Sequence, residues 1–249
     1  MNLCLYGPYR HRWAYTEVGA RHLEQSPEHL RIHQSQLYWE EGRLVLEVDE
    51  TQAPLGGRLK GRIVLDPGAR FSEPEDLAGT GRHLWWPLAP FSRAEVALES
   101  PGLSFSGAAY HDANMGSEPI EDGLRRWWWM RAPLSEGAAV LYDAIDPAGE
   151  ERPLGLFLGR DGSREPISAA VPGRLRPTRW LMPRPLRSGH GRPPRLLKAY
   201  EDTPFYARSL VELELRGERT RGVYEVVDLD RFASRWVQAL LPYRMKRIP

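Results

Sequence analysis

The sequence has a single cysteine, Cys4, in 249 residues, so no disulfide can form within the chain. It also has no run of about 18 uncharged apolar residues, which a membrane-spanning helix requires. Residues 1–12 lack the basic-then-apolar layout of a secretory signal peptide. We therefore expect a cytoplasmic protein whose contact with the inner membrane is at most peripheral.

An excess of charge of either sign is missing as well. The 34 Lys+Arg and 33 Asp+Glu leave a formal net charge of +1. Electrostatically driven binding to nucleic acid needs a strongly basic surface. The sequence thus predicts no nucleic-acid partner.

Several motifs that carry common chemistries are absent. There is no Gly-rich phosphate loop and no Gly-x-Ser-x-Gly sequence, so neither a nucleotide cofactor nor a serine nucleophile is indicated. His29 and His33 have the i, i+4 spacing of a helical metal site, but Pro27 disfavours a helix there and no third ligand is apparent. We expect no bound metal.

Glycine and proline, by contrast, are abundant, at 23 and 22 residues. They interrupt the chain too often for long helices, so we expect an all-β, mainly antiparallel fold. β-rich runs on either side of short Gly-containing turns predict hairpins at 37–48 and 94–110, and an alternating run predicts a strand at 59–65. The length suits one large β domain or two small ones, and we expect two.

The second half of the chain carries further strand patterns and one helical pattern. Strands are expected at 124–132, 139–145, 153–158, 205–215 and 223–229. The last two are expected to be joined by a turn over 216–222. Apolar residues at helical spacing follow Asp230, a suitable N-cap, up to Pro242. The segment 172–194, rich in proline and arginine, is expected to form a loop.

Two pairs of residues spaced two apart are candidates for chemistry. Residues at this spacing share a face of a strand, so His83 should point the same way as Trp85, and Tyr110 the same way as Asp112. Each pair sets a proton-handling group beside an aromatic ring. If the two faces line one cavity, they place a carboxyl and an imidazole in an apolar environment, and Asn114 would lie on the Asp112 face.

Tryptophan is concentrated in one part of the chain, since five of the nine copies fall between positions 85 and 129. Trp127 and Trp129 would share one strand face as candidate substrate-binding rings, with Trp128 on the opposite, packing face. Core packing remains the simpler role for any single tryptophan, because each ring buries a large area.

Asp112 has two interpretations. A buried aspartate has its pKa raised and can remain protonated near neutral pH, as a general acid must. The run from Asp112 to Gly116 also has the composition of an Asx turn. Spacing alone does not choose between them, and a lone histidine such as His83 is most often a simple hydrogen-bonding neighbour.

Four stretches of the chain resemble the bacterial carotenoid 1,2-hydratase family, also called hydroxyneurosporene synthases. They are His83–Pro90, Gly107–Pro119, Trp127–Ala132 and Leu241–Arg247. The Tyr-His-Asp-x-Asn-x-Gly run is specific to the family, whereas the Trp-rich strand alone is not. The similarity covers nearly the whole chain.

This resemblance implies two lipocalin-like β units, which we place at residues 1–120 and 121–249, with a short C-terminal helix. It also implies that neither a metal nor an organic cofactor is used. Family members commonly carry additional sequence before the Leu-Tyr-Gly run at residues 5–7. We therefore expect either a misassigned start or a first unit that lacks strands.

For function, the resemblance assigns the family's His-x-Trp and Tyr-x-Asp pairs to His83, Trp85, Tyr110 and Asp112. The implied reaction adds water to the terminal C1=C2 double bond of an acyclic carotenoid such as neurosporene or lycopene. Asp112 would be the acid, aromatic rings would stabilise the carbocation, and His83 would orient or deprotonate the water. The partner is then a hydrophobic polyene delivered from a membrane surface.

Two other functions stay open at this stage. A related enzyme on the same scaffold could act on another polyene, for example by pericyclic cyclisation. A non-catalytic carrier would need only an apolar cavity, without an ionisable Asp112 beside a histidine and a tyrosine. The sequence does not indicate an oligomeric state.

Overall fold

The computed structural model describes residues 1–8, 10–54, 56–168, 170–243 and 245–249. These residues form twenty strands joined by short turns, which is consistent with the frequent glycines and prolines. The strands are β1 (Asn2–Tyr6), β2 (His11–Val18), β3 (Leu23–Gln25), β4 (His29–Ile32), β5 (Ser35–Glu40), β6 (Arg43–Thr51), β7 (Arg58–Asp66), β8 (Glu75–Asp76), β9 (His83–Ser100), β10 (Leu103–Gly116), β11 (Arg126–Leu134), β12 (Gly137–Ile145), β13 (Glu151–Gly159), β14 (Arg164–Pro166), β15 (Arg174–Leu175), β16 (Arg184–Pro185), β17 (Arg195–Asp202), β18 (Tyr206–Leu215), β19 (Glu218–Asp228) and β20 (Lys246–Ile248).

Helices are few and short. The α-helices are α1 (Ile120–Gly123), α2 (Leu229–Phe232) and α3 (Arg235–Leu240), and single 3-10 turns occupy Ala20–His22 and Leu241–Tyr243. Neighbouring strands pair antiparallel from β9 to β3 and throughout the sheet β14-β13-β12-β11-β19-β18-β17, whereas β2 and β20 pair parallel. The predicted all-β, mainly antiparallel class is confirmed. None of the helices in the described residues is long and apolar enough to span a bilayer.

The chain forms two compact units that alternate along the sequence. The first contains residues 1–68, 91–111 and 238–249, and the second contains 69–90 and 112–237. Each of the long strands β9 and β10 contributes residues to both units. The predicted boundary after residue 120 stays a prediction. Each of the two compact units combines separate stretches of the chain.

The first unit contains both hairpins expected for it. Strand β5 pairs with β6 around a turn at Glu41 and Gly42, and β9 neighbours β10 around Pro101 and Gly102. The strand expected at 59–65 is β7, which pairs with β6 and β9. Both β9 and β10 extend past the residues predicted for the hairpin and reach the positions singled out for chemistry.

The second unit is organised by a seven-stranded sheet with β11 near its middle. Along β11 the side chains alternate, so that Met130 and Ala132 belong to the buried core and Trp128 packs against it. Trp127 and Trp129 therefore point to the opposite face of the sheet. The packing role predicted for Trp128 is confirmed, and its indole Nε1 also donates to the Pro183 carbonyl at 3.2 Å.

Two details of the C-terminal half differ from expectation. The turn between β18 and β19 contains only Arg216 and Gly217, whose φ angles of 52° and 80° suit a two-residue hairpin. The predicted turn over 216–222 was therefore wrong, and β19 begins at Glu218. The loop expected at 172–194 contains only the two-residue strands β15 and β16.

The predicted terminal helix was wrong in its start and in its continuity. Asp228, not Asp230, is the N-cap, and its carboxylate accepts a hydrogen bond from the Arg231 backbone N–H at 3.0 Å. The helix is interrupted between α2 and α3, where Ser234 Oγ donates to the Arg231 carbonyl. Asp228 and Asp230 are both suitable N-caps by residue type. The choice between them depends on where β19 ends, which is at Asp228.

The Asp228 cap generates a test of the C-terminal segment. Its side chain is almost fully buried and also meets Arg126 Nε at 3.1 Å. We expect Asp228→Ala to lower the free energy of unfolding by at least about 1 kcal/mol in chemical denaturation, since the capping bond is lost. Asp228→Asn keeps a capping oxygen and should lose less, whereas equal losses would assign the stabilisation to the Arg126 ion pair.

Candidate active site

The candidate site is centred on one hydrogen bond between β9 and β10 residues of the second unit. Trp85 is completely buried, and its indole Nε1 donates to Asp112 Oδ2 at 2.7 Å. Asp112 lies within β10 and is half-buried. The Asx-turn interpretation was therefore wrong, because β10 continues as a strand to Gly116.

Two further aromatic rings are linked to Trp85. The ring of Trp85 meets the ring of Tyr142 edge-on, with centroids 5.4 Å apart and an interplanar angle of 70°. The ring of Trp127 is tilted by 50° against that of Tyr142, with the two centroids 6.5 Å apart. Edge-to-face packing at these distances is favourable for aromatic pairs. Asp112 thus binds the Trp85 indole, which is one of three rings linked through Tyr142.

Tyr142 is a site residue that sequence reasoning missed. It is buried in β12, a strand made almost entirely of apolar residues. Burial raises the pKa of the Tyr142 phenol far above its ordinary value, and the negative charges of Asp112 and Glu225 add to the rise. The phenol therefore stays protonated.

His83 is buried at the start of β9, beside a carboxylate. The imidazole is 4% exposed, and its Nε2 lies 3.2 Å from Glu118 Oε1. Arg82 contacts the other Glu118 oxygen at 2.9 Å. Desolvation acts to raise the pKa of Glu118, but hydrogen bonds from Arg82 and His83 outweigh it, so the pKa is lowered. Glu118 is thus a carboxylate that orients the imidazole.

The other residues predicted for the site lie on strands β10 and β11. Tyr110 is half-buried on β10, two residues before Asp112, and belongs to the first unit. Asn114 is exposed on the same strand. Trp129 is half-buried on β11 and stands directly opposite Tyr142 in the register with β12. The structure thus groups Trp85 and Trp127 around Tyr142 and binds Asp112 to Trp85, and Trp129 is the register partner of Tyr142.

Two charged residues of the same sheet also escaped the sequence analysis. Glu225 on β19 stands opposite Trp129, and Arg208 on β18 stands opposite Glu225. The sequence signal for them is weak, because a charged residue in an alternating strand ordinarily faces solvent. Only the strand register shows that they share a face with Trp129.

The position of His83 depends on a close approach by α1. A Cβ built on Gly123 would lie 2.1 Å from His83 Nε2. We expect Gly123→Ala to displace the imidazole from Glu118 and to lower the free energy of unfolding by about 1–3 kcal/mol, as overpacking does. The displacement should be visible in the imidazole ¹⁵N signals of His83.

Gly107→Ala is the matched control, since nothing lies within 4 Å of the Cβ it would add. It should leave both the imidazole signals and the stability nearly unchanged. Unaltered His83 signals in Gly123→Ala would contradict the proposed contact.

Known proteins resemble this chain over its whole length. The family model for carotenoid hydratase CrtC matches residues 1–249. An acyclic carotenoid 1,2-hydratase from Thiocapsa roseopersicina is 42% identical over 100% of this chain and 62% of its own length. One from Rubrivivax gelatinosus is 39% identical over 99% of this chain and 61% of its own length. The chain therefore spans about three-fifths of the length of these two relatives.

A solved structure supports the fold. The crystal structure of an AttH protein from Nitrosomonas europaea has a TM-score of 0.61, covering 83% of this chain and 71% of that chain at 12% identity. This similarity supports the lipocalin-like β fold expected from the sequence. With the family model matched from end to end and the relatives covering the chain, this protein belongs to the carotenoid hydratase CrtC family.

Proposed function

We propose that this protein is a carotenoid 1,2-hydratase, a hydro-lyase that adds water to the terminal C1=C2 double bond of an acyclic carotenoid such as neurosporene or lycopene. Membership of the family supports the reaction class. The observation that carries the proposal is the Asp112 carboxyl held by Trp85 beside the rings of Tyr142 and Trp127. The addition of water is redox-neutral, so it requires no electron or hydride transfer.

The first step is protonation of the alkene. Asp112 gives its proton to C2, and the two electrons of the double bond form the new C–H bond. The positive charge then lies on C1, which is the more substituted carbon and forms a tertiary cation. A protonated carboxyl positioned at the reacting atom is a general acid, and such groups contribute about 10²–10⁴ in rate.

The aromatic rings stabilise the cation without trapping it. A ring face attracts a nearby positive charge by about 0.5–2 kcal/mol, and it has no lone pair that forms a lasting bond with carbon. Trp85, Trp127 and Tyr142 are the rings grouped beside Asp112. Tyr110 and Trp129 complete the set proposed from the sequence, with Asn114 as a polar contact.

Water completes the reaction at C1. His83 is proposed to orient this water and to accept its proton, so that the hydroxyl oxygen bonds to the cation. The hydrogen bond between His83 and Glu118 supports this role, since a carboxylate partner fixes the orientation of an imidazole. The proton returns to Asp112 through solvent, and the net change is the addition of one water.

The acid role of Asp112 is tested by Asp112→Asn. The amide has nearly the same shape but no proton to donate, so turnover of lycopene should fall at least about hundredfold while the thermal transition changes little. Product formation is measured by chromatography and mass spectrometry. Asp143→Asn, in a half-buried aspartate paired with Arg187, is the control and should retain activity. Retained turnover in Asp112→Asn would remove Asp112 from the acid role.

The protein must also take up an apolar substrate that resides in membranes, and one surface of the second unit suits that task. Trp180, Leu181 and Trp236, here called the aromatic patch, are 44%, 76% and 49% exposed. The Trp180 and Trp236 rings lie 5.8 Å apart. The exposed Arg179 and Arg235 lie next to the patch in sequence.

Tryptophan and arginine together suit the membrane interface, where rings sit at headgroup level and arginines meet anionic lipids. We therefore propose that the aromatic patch places the protein peripherally on the membrane that holds its substrate. The patch includes part of the arginine-rich segment 172–194.

Flotation with vesicles containing anionic phospholipid tests this surface. The native chain should float with the vesicles, and the double variant Trp180→Ala/Trp236→Ala should partition about tenfold less, because two large rings no longer enter the interface. Trp39→Ala removes an exposed tryptophan of the first unit and is the control. Equal flotation of all three proteins would contradict the role of the aromatic patch.

A further inference from the structure

The two ring nitrogens of His83 lie in different surroundings. Nε2 is 3.2 Å from Glu118 Oε1, and a Cβ built on Gly123 would lie only 2.1 Å from Nε2 and 2.2 Å from the neighbouring Cδ2. Helix α1 therefore covers this edge of the ring. On the other edge, Nδ1 has no hydrogen-bond partner within the described part of the chain.

The Glu118 carboxylate decides which of the two nitrogens carries the proton. Burial acts to raise the pKa of Glu118, but the hydrogen bonds from Arg82 and His83 outweigh it and lower the pKa. Glu118 is therefore an anion near neutral pH, and an ionised carboxylate can only accept hydrogen bonds. Nε2 of His83 donates to it, so Nδ1 of the neutral imidazole keeps a lone pair. Nδ1 is thus the nitrogen that can take a proton.

Gly116 lies beside Nδ1. It is exposed at the end of β10 and closes the Tyr-His-Asp-x-Asn-x-Gly run. Its φ lies outside the left-handed region, so its backbone conformation does not require glycine. A glycine in a strand often marks a place where another group or a ligand comes close.

Three polar atoms converge on the space beside Gly116. A Cβ at this position would lie 3.3 Å from His83 Nδ1. It would also lie 3.2 Å and 3.3 Å from the carbonyl oxygens of Arg82 and Glu118. All three atoms can accept a hydrogen bond, and a water molecule has two protons to donate. A bound water typically makes about three hydrogen bonds, so this space has the partners that one water needs.

We propose that this space holds the water that adds to the substrate, and that His83 acts on it through Nδ1. One O–H of the water donates to Nδ1 and the other to a carbonyl oxygen, so an oxygen lone pair remains available for the new bond. Gly116 is a positioning residue, because its lack of a side chain keeps Nδ1 within reach of the water. Glu118 is a second positioning residue, since it holds the proton on Nε2.

The inference rests on the reaction proposed above, and its protons and electrons balance. The oxygen lone pair forms the bond to C1, the O–H bond facing Nδ1 breaks, and Nδ1 takes the proton. The imidazole is then positively charged, and Glu118 stabilises that charge through the Nε2–H bond. Nδ1 passes its proton to solvent and is ready for the next water. No oxidant or reductant is needed.

Gly116→Ala tests the site, because its methyl group would fill the space beside Nδ1. Protonation of C2 by Asp112 is left intact. In D₂O the cation should therefore still form, and it can lose a proton to return a deuterium-labelled polyene. We expect hydration to fall at least about tenfold relative to deuterium uptake, since general-base assistance contributes about 10²–10⁴ in rate. Mass spectrometry of the product and of the recovered polyene measures both.

Gly107→Ala on the same strand is the matched control, since nothing lies within 4 Å of the Cβ it would add. It should keep the native ratio of hydration to deuterium uptake. A structural effect of Gly116→Ala would lower both processes together, and that result or unchanged hydration would overturn the proposal. If Gly116→Ala does not fold, Glu118→Gln replaces it, because the amide lacks the charge that stabilises the imidazolium. Its ratio should fall as well, and an unchanged ratio would overturn the proposal.

A high-resolution crystal structure of the native chain without substrate separates this inference from the proposed reaction. It should show a water bonded to His83 Nδ1 and to the carbonyl oxygen of Arg82 or Glu118. The imidazole ¹⁵N signals should place the proton on Nε2. This water in a chain that neither hydrates nor labels the polyene would support the site and contradict the reaction. A native structure without the water, or a proton on Nδ1, would overturn the site.

Discussion

The hydrogen bond from the Trp85 indole to Asp112 is the interaction on which the candidate site depends. It holds an acidic side chain beside a ring that is itself fixed against Tyr142. A buried tryptophan with a polar edge is well suited to this, because its area anchors it in the interior while its N–H needs a partner. Because side chains alternate between the two faces of a strand, every second residue along β9 lies on the same face as Trp85, and every second residue along β10 on the same face as Asp112.

The electrostatics of the site follow from the same arrangement. Burial raises the pKa of the Tyr142 phenol, so this ring stays protonated and neutral beside Trp85. Glu225 lies opposite Trp129 in the register of β11 and β19, and its ion pair with Arg208 keeps its negative charge from being isolated in the interior.

Much of this could be predicted from the sequence, where the relevant residues are neighbours in the chain. The alternation of Trp127, Trp128 and Trp129 indicated which ring packs in the core, because a strand sends successive side chains to opposite faces. The closeness of Trp85 to Asp112 was expected only on the condition that their two faces meet. The C-terminal helix was located but not its cap, since the end of β19 selects between two aspartates.

Tyr142, Glu225 and Arg208 could not be found in this way. They come from three strands far apart in sequence, and only the register of β12, β19 and β18 aligns them with Trp129. A period-two pattern states which face of a strand is buried, but not which residue of another strand lies opposite.

The central claim is that Asp112 starts an acid-catalysed addition of water, and isotopic labelling of the product tests it most directly. The native chain would be incubated with lycopene in D₂O, and in a parallel sample in H₂¹⁸O. The account predicts one deuterium at C2 and one ¹⁸O in a tertiary hydroxyl at C1. A cyclised isomer of unchanged mass, or recovery of unlabelled polyene from a folded protein that binds it, would contradict the account.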